Sequence, residues 1–230
     1  MNRDAHEQAA RNSGGEELAG FLQDLRRRSS LTPRTDLPEL EGDVRQVGAD
    51  ADLVARFAES ARSAGLRVHH ATGTDWIAPL REILSECGAR TVFLEPSAAK
   101  AAGFDIDRLT ADLMGASIAV QTDARDETLF SVDAGITGVE CAVAETGTLV
   151  CQSGSGRVRG GSLIPPLHVA LVNAAQIVPD LYDCLARFGG GSDLPANVNM
   201  ITGPSKTADI EGILVTGVHG PREVHVILVE

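Results

Sequence analysis

DLVARFAESARSAGLRVHHATGTDWIAPLREILSECGARTVFL, residues 52 to 94, carries two amphipathic segments, each followed by a short apolar run. The spacing predicts a helix over 52–64, a strand over 66–70, a second helix over 75–87 and a strand over 91–94 that ends in Glu95-Pro96. The alternation continues with a helix closing over 109–114 and a strand over 117–121. Short apolar strands alternating with amphipathic helices give an α/β sheet covered on both faces.

Beyond residue 130 the chain becomes richer in strands and glycine. CAVAETGTLVCQ, residues 141–152, sets two apolar runs around Glu145-Thr146-Gly147, which predicts a sharp turn or bulge at Gly147. HVALVN (168–173) and NVNMIT (197–202) read as strands, and residues 174–188 read as one helix stopped by GGGS. GILVTG and EVHVILVE read as a closing hairpin turned by His219-Gly220-Pro221. The sheet is therefore expected to be mixed, with parallel strands first and an antiparallel end.

Ahead of this domain, residues 1–15 are polar and end in NSGG. Residues 16–28, EELAGFLQDLRRR, place Leu18, Phe21, Leu22 and Leu25 at helical spacing, with acids early and arginines last, as the helix dipole favours. The expected organisation is a disordered segment, helical arm and linker over 1–45 and one α/β domain over 46–230.

The 230 residues carry a formal net charge of −12 and are 43% hydrophobic. That charge repels polyanions, which argues against a nucleic-acid or anionic-membrane binder, although a local basic pocket stays open. No run reaches the roughly 18–20 apolar residues of a membrane span, and the N-terminus lacks the apolar stretch of a signal peptide. A cytoplasmic location is expected. Cys87, Cys141, Cys151 and Cys184 lie in or beside apolar segments without a Cys-x-x-Cys pair, so they read as core thiols rather than iron–sulfur ligands. Adjacent His69 and His70 point to opposite faces of a strand, and no metal site is expected.

Three stretches carry the candidate chemistry. In ITGPSKTADIEG, Gly203, Ser205, Lys206, Thr207 and Asp209 follow a strand end, where free N–H groups, hydroxyls and a lysine suit a phosphate or carboxylate. The competing reading makes Ser205 or Thr207 a turn cap, with Asp209 and Glu211 complementing a short helix that starts near Thr207. In QSGSGRVRGGS, Arg157 and Arg159 stand in a Gly/Ser-rich loop that could present two guanidinium groups to an anion or serve only as a connector. Glu145, followed by Thr146, Gly147 and Thr148, is a carboxylate among apolar neighbours that could act as base or nucleophile, or be a hydrogen-bonded structural acid. Asp133 and Glu140 are weaker candidates of that kind, best read as turn caps. His168 and His219 lie near these loops and titrate close to neutrality, but a strand start and a turn explain them more simply.

DAGITGVECAVAETGTLVCQ, SLIPPLHVALV and ITGPSKTADIEGILVTGVHGPREVHVILV together resemble the LUD-domain family, most closely its lactate utilization protein C branch. The resemblance spans roughly residues 50–230 and does not reach the arm. It implies a Rossmann-like α/β/α sandwich of the NagB/RpiA/CoA-transferase kind. It also implies a part in converting L-lactate to pyruvate beside two sibling proteins that carry the iron–sulfur clusters, with no cofactor on this chain. The alternative is an independent enzyme of the same fold group, acting on a CoA ester, sugar phosphate or nucleotide at the same loops.

Overall fold

Asp52 opens the first helix of the domain by accepting the Ala55 N–H at 3.0 Å, and Gly65 closes it in the left-handed conformation at φ 98°. This helix, α1 (Leu53–Ala64), buries Phe57, Ala58 and Ala61 and leads into β1 (Arg67–Ala71). The computed structural model describes residues 20, 23–24, 45–48, 51–73, 75–95, 103–154, 157–188, 194–207 and 215–230. The chain divides between Val44 and Arg45 into two units. Of the expected N-terminal helix only Gly20, Gln23 and Asp24 are described, and each is helical; the rest of the arm and its linker lie outside the described residues.

The second unit continues as α2 (Ile77–Glu86), β2 (Thr91–Leu94), α3 (Ile106–Gly115), β3 (Ala119–Gln121), α4 (Asp126–Ser131) and β4 (Ala134–Gly138). Then come β5 (Cys141–Val143), β6 (Thr148–Ser153), α5 (Gly160–Leu163), β7 (Leu167–Asn173), a 3-10 turn (Ala174–Gln176), β8 (Ile177–Val178) and α6 (Leu181–Ala186). β9 (Asn197–Ile201), β10 (Lys206–Thr207), β11 (Val215–Thr216) and β12 (Glu223–Val229) complete it.

Six strands form one sheet in the order β1-β12-β7-β4-β2-β3, and every pairing in it is parallel. Alternate residues face opposite sides, as strand geometry requires. Leu167, Val169 and Leu171 of β7 meet α2 and α3 through Leu80, Ile83, Leu84, Leu109 and Leu113. Ala170 and Val172 meet α1 and the β5–β6 pair through Phe57, Ala61, Ala142 and Leu149. The expected α/β/α sandwich is thus observed.

The mixed character belongs to a second, smaller sheet, β8-β5-β6-β9, with β5–β6 and β6–β9 antiparallel and β5–β8 parallel. Two expectations need correction. The closing hairpin does not form: β12 inserts between β1 and β7, while β11 pairs with β10. The physical reason is burial on both faces, since all six residues from Val224 to Val229 are at most 7% exposed, and an interior strand of a sheet covered on both sides supplies such a setting. The single helix over 174–188 is also replaced. Asn173 caps a 3-10 turn, Ile177 and Val178 pair with β5, and Asp180 caps a separate α6 by accepting the Asp183 N–H.

Candidate carboxyl-edge site

In an open parallel sheet, strand carboxyl ends leave backbone groups and loops free to meet a ligand. Here Glu95 directly follows the last residue of β2, and β4 ends at Thr137 and Gly138. The loop after β6 folds over them, so that Glu95, Thr137, Gly138, Glu140, Cys151, Gln152, Arg157, Val158, Arg159 and Ser162 line one polar pocket. Its cavity volume is about 10 Å³, room for a single water at most.

Glu95 is 5% exposed, and its Oε1 accepts the Val158 N–H at 2.8 Å. Burial raises its pKa, against the opposing pull of that hydrogen bond and of the Arg157 charge. Arg157 Nη1 donates to Glu140 Oε2 at 2.8 Å, and Gln152 Nε2 donates to the same oxygen at 2.7 Å. Of the five N–H donors on a guanidinium, the described residues engage this one on Arg157. Cys151 is pushed up to about 12 by burial and then by the Glu95 charge, so its thiol stays protonated.

His168, fully buried on β7, sits behind this pocket with Nε2 2.9 Å from Thr137 Oγ1, while its Nδ1 has no partner among the described residues. Burial lowers its pKa to about 4, so the ring is neutral. A neutral imidazole on a threonine hydroxyl fixes the threonine rotamer facing the pocket. α5 can cross this face so closely because Gly135 and Gly161 have no side chains. A Cβ on Gly135 would lie 1.8 Å from the Gly161 carbonyl oxygen, and one on Gly161 would lie 2.5 Å from the Phe93 ring.

The remaining sequence candidates gather elsewhere. Glu145, Thr146, Gly147 and Thr148 form the β5–β6 turn, at the other end of β6 from Gln152. Thr148 Oγ1 bridges Thr146 Oγ1 at 2.6 Å and Thr202 Oγ1 at 2.7 Å, and Ser60 Oγ donates to the Glu145 carbonyl at 3.2 Å. Gly147, at φ 67°, lies so near α1 that a Cβ would come 2.2 Å from the Ala61 nitrogen. Gly203 approaches the Ala64 carbonyl, and Lys206 Nζ donates to that oxygen at 3.4 Å. The 203–207 loop also bonds to the strand-start side through Ser205 N–H and the Pro221 carbonyl. It therefore stands at the amino ends of β1, β7 and β12, across the domain from Arg157 and Glu95. Thr207 lies in strand β10, where the sequence suggested the start of a short helix. Asp209 and Glu211 lie outside the described residues.

Asp133 ties two strand starts together by accepting the N–H groups of Arg90 at 2.9 Å and Thr91 at 2.8 Å and the Thr91 hydroxyl at 2.8 Å. Burial would raise its pKa, but these hydrogen bonds outweigh it and hold the carboxyl below its usual value.

The LUD domain profile matches residues 54–229, from the first turn of α1 to the end of β12. The chain belongs to the LUD-domain family. It is 36% identical over 135 residues to lactate utilization protein C of Halalkalibacterium halodurans, covering 55% of this chain and 59% of that protein. It is 40% identical over 100 residues to lactate utilization protein C of Bacillus licheniformis, covering 42% of each. An uncharacterized protein of Neisseria meningitidis serogroup B is 28% identical over 186 residues, 79% of either chain. The matches to lactate utilization protein C thus span about half the length of those relatives. A DUF162 family protein from Deinococcus radiodurans shares the fold at TM-score 0.55 and 23% identity, covering 77% of this chain and 96% of that one.

Within this LUD domain, Glu95, Thr137 and Gln152 are pocket residues that the sequence reading did not single out. Glu95 carried the one available signal, an acid at the carboxyl end of a strand with no exposed face.

Proposed function

We propose that this LUD-domain chain is a non-redox component of an L-lactate to pyruvate oxidation system, acting with iron–sulfur partner proteins and binding a small anion at the carboxyl edge of its sheet. The likeness to proteins named lactate utilization protein C carries this reading. The pocket chemistry fits it. Arg157 offers a guanidinium to a carboxylate, as its hydrogen bond to the Glu140 side chain illustrates. A small carboxylate enters by displacing the Glu140 side chain, because the cavity of about 10 Å³ is too small to hold it otherwise. Arg159, exposed on the same loop, adds a second positive charge. Lactate oxidation also needs an acceptor for two electrons. The four thiols do not converge: Cys141 and Cys184 meet at 3.5 Å, whereas Cys151 lies in the pocket and Cys87 on the surface. This fits clusters carried by partners.

A second reading, an independent CoA-transferase-like or sugar-phosphate-isomerase-like enzyme, draws on Glu95, a buried carboxyl with a raised pKa at the sheet edge. Thermal unfolding against L-lactate, pyruvate, coenzyme A, ATP and sugar phosphates separates the two. A ligand at about 100 times its Kd adds about 2.7 kcal/mol, or roughly 5–11 °C at 2–4 °C per kcal/mol. A shift with L-lactate or pyruvate that vanishes in Arg157→Gln is the expected result. A shift confined to phosphorylated compounds or coenzyme A favours the independent enzyme.

A further inference from the structure

On the opposite face of the sheet, at its amino edge, three ligand-type side chains converge from separate elements. Cys87 ends α2, and Glu223 and His225 stand on β12. One donor atom from each lies within 4.8 Å of the others. We propose that Cys87, Glu223 and His225 form a binding site for a borderline divalent transition metal, zinc first among them, with His69 orienting His225.

The donor set is the first argument. Thiolate sulfur, imidazole nitrogen and carboxylate oxygen together suit zinc, and three protein ligands leave the fourth tetrahedral position to water or a small ligand. Spacing is the second. His225 Nε2 and Glu223 Oε2 are 3.4 Å apart. A tetrahedral shell with Zn–N of about 2.0–2.1 Å and Zn–O of about 2.0–2.2 Å sets those atoms about 3.4 Å from one another. Thus two of the three ligands already stand at shell distance, and Cys87, exposed at the helix end, has to close in by a side-chain rotation.

The outer shell is the third argument. A metal-bound histidine donates its other ring N–H to an acceptor that fixes its tautomer. His225 is 1% exposed, and its Nδ1 lies 3.1 Å from Nε2 of His69, whose ring plane is 8° from parallel to its own. With His225 Nε2 on the metal, Nδ1–H donates to His69. Arg67 Nη1 pairs with Glu223 Oε2 at 2.9 Å and so fixes the position of that carboxylate. At the neighbouring His69 the charges of Glu82 and Glu86 oppose those of Arg67 and Arg62. Adjacency of His69 and His70 argued against a metal in the sequence, but the fold recruits only one of that pair and draws the other donors from distant segments.

The full-length protein, stripped with chelator, is to be titrated with Co2+ and with Zn2+. One equivalent of Co2+ giving a thiolate-to-cobalt charge-transfer band, absent in Cys87→Ser, is expected. Zn2+ should protect Cys87, the exposed thiol, from iodoacetamide, and His69→Ala should weaken Zn2+ binding by roughly 10–100-fold. Cobalt binding without a thiolate band, or an alkylation rate at Cys87 that Zn2+ leaves unchanged, overturns the site on the wild-type protein alone.

Discussion

Replacing Gly147 with alanine tests whether the Glu145–Thr148 turn is held by packing against α1. Two costs combine at this position. The residue sits at φ 67°, where an L side chain costs about 1–2 kcal/mol. The new Cβ would also lie 2.2 Å from the Ala61 nitrogen and 2.5 Å from the Ser60 carbonyl carbon. Those are backbone atoms of a helix and cannot swing aside, so an overpacking cost of about 1–3 kcal/mol is added. The sum of about 2–5 kcal/mol corresponds to a loss of roughly 4–20 °C in Tm at 2–4 °C per kcal/mol. Three controls separate the contributions. Gly73→Ala, at φ 54° with open space, carries the backbone cost alone; Gly135→Ala, 1.8 Å from a carbonyl oxygen without positive φ, carries the packing cost alone; Gly154→Ala carries neither. Scanning calorimetry or circular-dichroism melts of the four variants give the comparison. A Gly147→Ala protein that melts within about 2 °C of Gly154→Ala refutes the packing argument, and the turn must then stand clear of α1.

His168, neutral in the folded state with its pKa lowered to about 4, binds no proton there while the unfolded chain protonates below about 6.5. Stability therefore falls as pH drops from about 6.5 to 4, by about 3 kcal/mol in total from this group, and His168→Asn should flatten that slope in melts at graded pH. Glu95→Gln retains an oxygen for the Val158 N–H and removes a buried charge, so its Tm at neutral pH should equal or exceed wild type; Glu95→Leu orphans that N–H and should cost about 1–3 kcal/mol by urea titration. Lys206→Ala removes a cation from the last turn of α1 and should cost at most about 1 kcal/mol, seen as a Tm loss of a few degrees.

Local pattern carried much of the fold. α1, α2, β2 and the turn at Gly147 follow from apolar periodicity and one glycine, and the order of helices and strands up to Gln121 needs no long-range information. β12 did not yield to the same treatment. Its turn-like preceding residues suggested a hairpin, but its partners β1 and β7 lie far away in the chain, and only the long apolar run from Val226 to Val229 signalled an interior strand. The misread helix over 174–188 ignored Pro179, which cannot continue a helix, and Asp180, a ready N-cap. The site was legible only in part. Arg157 was visible as a loop charge and Glu140 as a turn acid, yet their pairing follows from the antiparallel β5–β6 ladder, and the Glu95 carboxyl and the neutral His168 behind Thr137 are brought alongside by parallel strands. Spacing along one segment says nothing about such neighbours.

Growth on L-lactate tests the proposed role most directly. A strain of the source organism without this gene should fail to grow with L-lactate as sole carbon source while growing normally on pyruvate. The wild-type gene should restore growth, and Arg157→Gln, expressed at equal level, should not. Normal growth of the deletion strain on L-lactate, with no second copy to replace the protein, contradicts the account.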